Sequence, residues 1–210
     1  LKITQVESTF IKEQLEHTQK ISQIGSWYFN ILTGEHFFSK EYYHIFEINE
    51  SSSHENILKK TRELIHTEDL PILDYLLDRA THHGEDFTIN YRLSFDHGQR
   101  IKHIQRIGKI IKCPLGKSLI LFCTCRDMTT ALEKEEKLKI ILNSMNDGLV
   151  VQNSTGTILE FNPSALRILG LSESELLGRT SVDSRWKCKK PNGDIFPGEE
   201  HPAMVALHTG

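Results

Sequence analysis

The sequence predicts an α+β fold: a five-stranded antiparallel sheet with helices on one face, plus an N-terminal helix and a helical linker. Two observations carry this expectation. Extended β-branched and aromatic runs follow in the order strand, strand, helices, strand, strand, strand, with short turns that suit antiparallel neighbours. The hairpin-plus-helix opening of that series, near residue 26, then recurs near residue 148. A chain of 210 residues with 25% charged and 38% hydrophobic residues is ordinary globular composition, and its length suits two small domains.

The elements follow in chain order. The segment to Gln19 reads as a helix with Ile3, Val6 and Phe10, then Ile11 and Leu15, on a drifting apolar stripe. It is expected to pack on the first domain's sheet or on a second subunit. Ser26 to Gly34 is an extended run ending in a Thr-Gly turn, and Glu35 to Phe38 completes a β-hairpin. A short amphipathic helix follows with Tyr42, Tyr43, Ile45, Phe46 and Ile48.

A longer helix is expected from about Glu68 to His82, with Leu70, Leu73, Leu76, Leu77 and Ala80 on its apolar face and Gly84 as its stop. Three strands come next, Asp86 to Phe95, Arg100 to Lys112 and Lys117 to Arg126. Asp96-His97-Gly98 and Pro114-Leu115-Gly116 are the turns between them. The second copy reads Gly148 to Gly156, then Thr157 to Phe161, then a helix with Ala165, Leu166, Ile168, Leu169 and Leu171.

Between the copies, Thr130-Ala131-Leu132-Glu133 fits the S/T-x-x-E capping box, which places a helix start directly after the last strand. Ala131, Leu138 and Met145 lie seven apart with Ile141 between them, a short heptad seam interrupted by Lys134. Two readings fit this linker: a solvated connector with one apolar stripe, or a dimeric signalling helix.

The net charge of -3 and the scattered Lys and Arg residues offer no basic stripe, which argues against nucleic acid as a partner. Cys113, Cys123, Cys125 and Cys188 have neither a disulfide-framework spacing nor paired C-x-x-C spacing, which suits a reducing, cytoplasmic setting. No run of about 18 apolar residues and no secretory signal pattern is present, so no membrane contact is expected within this stretch. The chain opens on Leu1 rather than Met and reads as a piece of a longer protein, whose anchor, if any, lies elsewhere.

These residues resemble a known family. Gly25-Ser26-Trp27, Ser39-Lys40-Glu41, Tyr91-Arg92-Leu93, Asp96-His97-Gly98 and Arg126-Asp127-Met128-Thr129 follow one another as in the PAS/PAC type of PAS domain. Ile65-His66-Thr67-Glu68-Asp69 resembles that family's His-Pro-x-Asp motif, with Thr67 in place of the usual Pro. The order of motifs over about 105 residues carries the resemblance, since each sits in its expected element. The second copy resembles a PAS domain through Asn162-Pro163-Ser164-Ala165, Glu175-Leu176-Leu177-Gly178, the stretch from Pro191 to Pro197, and His201-Pro202-Ala203.

The resulting division is residues 1–20 as an N-terminal helix, 21–128 as a complete PAS domain with PAC motif, 129–145 as the linker, and 146–210 as a second PAS domain ending before its last three strands. Such a partial copy leaves an apolar face open, so partial disorder, dimerisation through that face or trimming of a longer chain is expected.

The resemblance implies a sensory module of a signalling protein, a sensor histidine kinase first and a diguanylate cyclase next, working as a homodimer through its helices. A small-molecule ligand would sit between sheet and helices, lined by Trp27, Phe29, Phe46, Leu77, Tyr91, His103 and Cys123; a filled, ligand-free core is the alternative. Asp127, Thr129, Thr130 and Glu133 would relay the signal. A ligand-free interaction and dimerisation domain is the competing function.

No cofactor is firmly implied. A light-sensing flavin domain of this fold needs an Asn-Cys-Arg helix motif, and none of the four cysteines has that context. His82 and His83 stand where haem-binding relatives place an axial ligand, yet histidines at a helix C-terminus commonly serve its dipole. Cys123 and Cys125, two apart on a strand, read as inert core thiols. Ser53-His54-Glu55-Asn56-Ile57-Leu58 resembles a phosphoacceptor box but lacks the Arg-Thr-Pro that should follow, and reads as a Ser-capped helix start. No phosphate loop, catalytic triad spacing or H-E-x-x-H motif is present, so this stretch is expected to be non-enzymatic.

Overall fold

The structure, a computed structural model, describes residues 14, 17–112, 118–180, 182, 183, 185, 186 and 188–209. The expected stripe of Ile3, Val6, Phe10, Ile11 and Leu15, together with Cys113 and the turn at residues 114–116, lies outside the described residues. The chain divides into two compact units, Leu1–Leu132 and Glu133–Gly210.

In the first unit a helical turn at residues 17–22 (α1) leads into β1 (Ile24–Asn30) and β2 (His36–Phe38). Helices α2 (Lys40–Phe46), α3 (His54–Leu64) and α4 (Leu70–His83) follow, then β3 (Phe87–Phe95), β4 (Arg100–Lys112) and β5 (Ser118–Asp127). The five strands form one sheet in the order β2-β1-β5-β4-β3, with every neighbouring pair antiparallel. This is the α+β, PAS-like architecture that the order of motifs predicts.

The pleat decides what is inside. In β3, Phe87, Ile89, Tyr91, Leu93 and Phe95 are buried, and the residues between them are not. The same alternation turns Ile104 and Arg106 of β4 inward, with Leu121, Cys123 and Cys125 of β5. Onto this face pack Tyr42, Ile45 and Phe46 of α2, Ile57 of α3, and Leu73 and Ala80 of α4.

Local chemistry fixes the helix ends. The Ser39 Oγ accepts from the Tyr42 N–H as the α2 cap and from the Ser26 N–H of β1, so one hydroxyl both starts the helix and ties it to the sheet. Ser53 caps α3 as its position predicts. Gly84 ends α4 in the left-handed region, its N–H bonded to the Ala80 carbonyl. Helix α4 begins at Leu70 rather than Glu68, and the carboxylate of Asp69 at its N-cap goes to Arg92 instead of capping the helix.

Helix α5 (Thr129–Ser144) leaves the end of β5 and carries no buried residue. The second unit then has β6 (Val150–Gln152) paired antiparallel with β7 (Ile158–Phe161), followed by α6 (Pro163–Leu169), α7 (Glu173–Leu176) and α8 (Pro202–Thr209). Its small core gathers Ile158, Ala165 and Leu176, with Val150, Phe161, Leu166, Leu171 and Trp186 half-buried against them. Asn162 is the organising polar residue: its Oδ1 caps α6 and accepts from Leu149 N–H, while its Nδ2 donates to the carbonyls of Leu142 and Asp147.

Helix and sheet come close together in the first unit at Gly25, where an added Cβ would stand 2.7 Å from the Tyr42 Cα and 2.8 Å from its nitrogen. Backbone cannot give way as a flexible side chain can. Gly25→Ala is therefore expected to destabilise the first unit by about 1–3 kcal/mol, read as a lowered urea midpoint. An unchanged midpoint would show that α2 is free to lift from β1.

Candidate functional site

The inner face of the first unit brings together most of the residues expected to line a ligand site. Trp27, Phe46, Tyr91 and Cys123 are buried there, and Phe29 and Leu77 are half-buried against the same cluster. His103 is the exception and is corrected here. It is exposed on the opposite face of β4, because inward positions on that strand are even-numbered, as Ile104 and Arg106 show.

The residue that sequence reasoning missed is Arg106. It is only 3% exposed, and it reaches along the inner face beneath the helices. Its Nε donates to the Cys125 Sγ at 3.4 Å and its Nη2 to the Tyr91 hydroxyl at 2.7 Å. The guanidinium carbon lies 5.0 Å from the Tyr91 ring centre and 5.8 Å from that of Trp27. Burial pushes the Tyr91 and Tyr42 phenols well above their usual range. It also pushes the Cys123 thiol up to about 12, so that sulfur is a core atom rather than a nucleophile.

The second feature is the junction between sheet and α5. Asp127 Oδ1 accepts from the Thr129 N–H at 2.9 Å and from its hydroxyl at 2.6 Å. The Thr129 Oγ1 in turn accepts from the His103 N–H at 2.9 Å, and the Met128 N–H donates to the His103 carbonyl at 2.8 Å. Both backbone groups of His103 are thus spent on the start of α5. Thr130 and Glu133 are exposed, and the helix starts at Thr129, two residues before the Ala131 start that a Thr130 cap implies, with the Thr129 N–H taken by Asp127. The capping-box reading of this stretch is corrected accordingly.

The third feature joins the start of α4 to β3. Asp69 accepts from Arg92 at its backbone N–H (2.8 Å), Nε (3.0 Å) and Nη2 (2.7 Å), and Glu68 accepts a further bond from Nη2 at 2.8 Å. The His66 N–H donates to the Arg92 carbonyl, beside an isolated bridge between Ile65 and Leu93. These bonds hold the Asp69 carboxyl below its usual 3.8. Asp69 and Arg92 also line a cavity of about 310 Å³, whose other lining residues include Asn90, Tyr91, His103, Gln105 and Met128.

The second unit has its own apolar cavity of about 430 Å³, lined by residues including Val150, Ile158, Trp186, Cys188, Phe196 and His201. His82 and His83, weighed as haem ligands, are exposed at the end of α4, where the His82 Nδ1 meets Asp78 at 3.0 Å. They lie away from the inner face. His54 stands at the first position of α3 behind its Ser53 cap. Cys123, Cys125 and Cys188 are free thiols. Among the described residues no group of three His, Cys, Asp or Glu could hold a metal ion, and no helix is long and apolar enough to cross a membrane.

Comparison with known proteins finds similarity to PAS domains. Residues 136–195 match the profile described as PAS fold. A curated relative, hybrid signal transduction histidine kinase I of Dictyostelium discoideum, is 25% identical over 176 residues, 80% of this chain. The chain spans about a tenth of that protein's length.

Among solved structures, a sensory box histidine kinase/response regulator from Burkholderia thailandensis aligns at 18% identity and a TM-score of 0.45, over 61% of this chain and 94% of that one. The N-terminal domain of a diguanylate cyclase with PAS/PAC sensor from Marinobacter aquaeolei aligns at 16% identity and a TM-score of 0.43, over 52% and 98%.

The Asp69–Arg92 pair makes a prediction with a definite sign. A carboxyl whose folded pKa is depressed contributes stability that is present above its unfolded pKa and lost as pH falls through the folded value. Asp69→Asn should therefore lower stability at neutral pH and flatten the loss of stability below about pH 4, as followed by urea midpoints against pH. An acid limb identical to that of the parent chain would mean that the pair contributes nothing net.

Proposed function

We propose that this PAS-family chain is the sensory and regulatory part of a multidomain signal-transduction protein, with a cytoplasmic sensor histidine kinase region as its setting and two PAS units in tandem. A ligand or partner acts on the inner face of the first unit, and α5 carries the change onward. The observation that carries this reading is the junction at Asp127, Met128 and Thr129, where the start of α5 is bonded to β4 and to the last residue of β5.

A connector that merely tethers two folded units has no need of such a joint. The side-chain bridge makes the direction in which α5 leaves depend on where β4 and β5 sit, which is the requirement for passing on a population shift. The relation to a hybrid histidine kinase supports a kinase parent over the diguanylate cyclase alternative.

A competing reading is a ligand-free dimerisation domain. It draws on the apolar side chains exposed on α5 and directly after it: Leu138 is 57% exposed, Ile141 48% and, just past the helix, Met145 36%. The two readings share a homodimer through α5 and differ in whether the inner face is occupied. Native mass spectrometry of the purified chain separates them, because a bound small molecule adds mass to the protein and a filled core does not.

The relay is tested at its joint. Asp127→Ala in the full-length protein should uncouple input from autophosphorylation while costing the first unit only about 1 kcal/mol, the usual effect of losing a helix cap. Signal response unchanged from the parent protein would sink the relay. Separately, Leu138→Glu should shift the chain towards monomer in sedimentation, and a dimer that persists would place the contact elsewhere.

A further inference from the structure

Among the described residues, Arg106 is a charged group with no carboxylate beside it. A guanidinium keeps its proton at any pH the fold tolerates, so 3% exposure means a full positive charge withdrawn from water. Among the described residues no carboxylate lies within ion-pair distance of it. Burial drives the phenols of Tyr91 and Tyr42 and the thiol of Cys123 towards their neutral forms, and the Cys125 Sγ meets the guanidinium as a hydrogen-bond acceptor. The Tyr91 and Trp27 ring faces offset part of the cost, but a buried cation is ordinarily paired.

A second observation points to the same place. The Trp27 Nε1–H is buried and has no hydrogen-bond partner, although buried indole donors are normally satisfied. Trp27 lies on β1 opposite Cys123, one strand over from the Arg106–Cys125 pair. Arg106 has meanwhile spent one N–H of Nε and one of Nη2, and among the described residues Nη1 makes no hydrogen bond. Nη1 and the second N–H of Nη2 are the donors left for a carboxylate.

We infer that the inner face of the first unit is a binding site for a small monocarboxylate, held by the Arg106 fork with the Trp27 indole N–H as an additional donor. One cation balances one negative charge, which favours a monoanion over a phosphate dianion. The aromatic side chains of Trp27, Tyr91 and Tyr42 in the same core cluster suit a short apolar tail. This assignment rests on the sensory reading above and names the chemical class of its ligand.

The test uses the whole chain and sodium propionate as the probe, against sodium chloride at equal ionic strength. Propionate should raise the thermal midpoint saturably while chloride does not, since a ligand that binds only the native state stabilises it by mass action. In NMR spectra the Trp27 indole N–H signal should move with propionate. That of Trp186, whose Nε1 already donates to the Thr180 carbonyl at 2.7 Å, should stay.

Arg106→Met should weaken propionate by more than about tenfold through loss of the fork. If that variant does not fold, Trp27→Phe, which keeps a ring and removes only the donor, should still weaken it several-fold. Chloride matching propionate, no saturable response in the parent chain, or a full response in the folded variants would each overturn the carboxylate site. A neutral molecule found on the inner face would overturn the carboxylate class and leave the sensory reading standing. Unchanged signalling in Asp127→Ala would remove the relay without touching the binding result.

Discussion

The two-residue period of the sheet is the constraint on which the rest of the first unit depends. Once β3 turns Phe87, Ile89, Tyr91, Leu93 and Phe95 towards the helices, the register with β4 and β5 leaves no freedom in what faces them. Ile104 stands opposite Tyr91, and Arg106 opposite Cys125. A strand cannot turn one unwelcome side chain outward without turning all of its neighbours with it. Arg106 is therefore inside because Ile104 is inside, and the molecule accommodates the charge with a phenol, a thiol and two ring faces.

That constraint also explains where the sequence misled. Strand β4 carries isoleucines in both phases: Ile104 faces in, while Ile107 and Ile111 are 37% and 52% exposed on the other side. Apolar alternation alone does not choose between the two phases, and a histidine looks a better pocket residue than an arginine. The decisive local signal is Gly108, where a Cβ would fall 2.2 Å from the Phe87 ring. A glycine is needed where a neighbouring aromatic lies flat on the strand, and that places Ile104 and Arg106, in the same phase of β4, on the inner face.

Elements bounded by strong local chemistry were legible. The Gly84 stop, the Ser53 cap and the Asp96-His97-Gly98 turn need only a few neighbouring residues to act, and the fold places them as expected. The start of α5 needed more. Thr130 and Glu133 form an acceptable capping box on paper, but β5 runs on to Asp127, which pairs with Ile104, and the carboxylate then reaches Thr129 before Thr130 can compete. Tertiary pairing chose between two adequate local signals, as it did at Asp69, whose carboxylate left the helix N-terminus for three donors on Arg92.

The two polar features of the first unit share one strand pair. Cys125, which touches Arg106, and Asp127, which caps α5, are two residues apart on β5, about 7 Å along the strand. On β4, Arg106 and His103 are three residues apart, and His103 gives both of its backbone groups to Thr129 and Met128. A change in how Arg106 is satisfied thus acts on the two strands that hold the helix start. The energies are commensurate: a tenfold change in population needs about 1.4 kcal/mol, and a hydrogen bond to a charged group contributes about 1.5–3 kcal/mol. Gain or loss of a single bond at Arg106 is therefore enough to bias the joint, provided the two arrangements of the joint differ in where β4 and β5 lie.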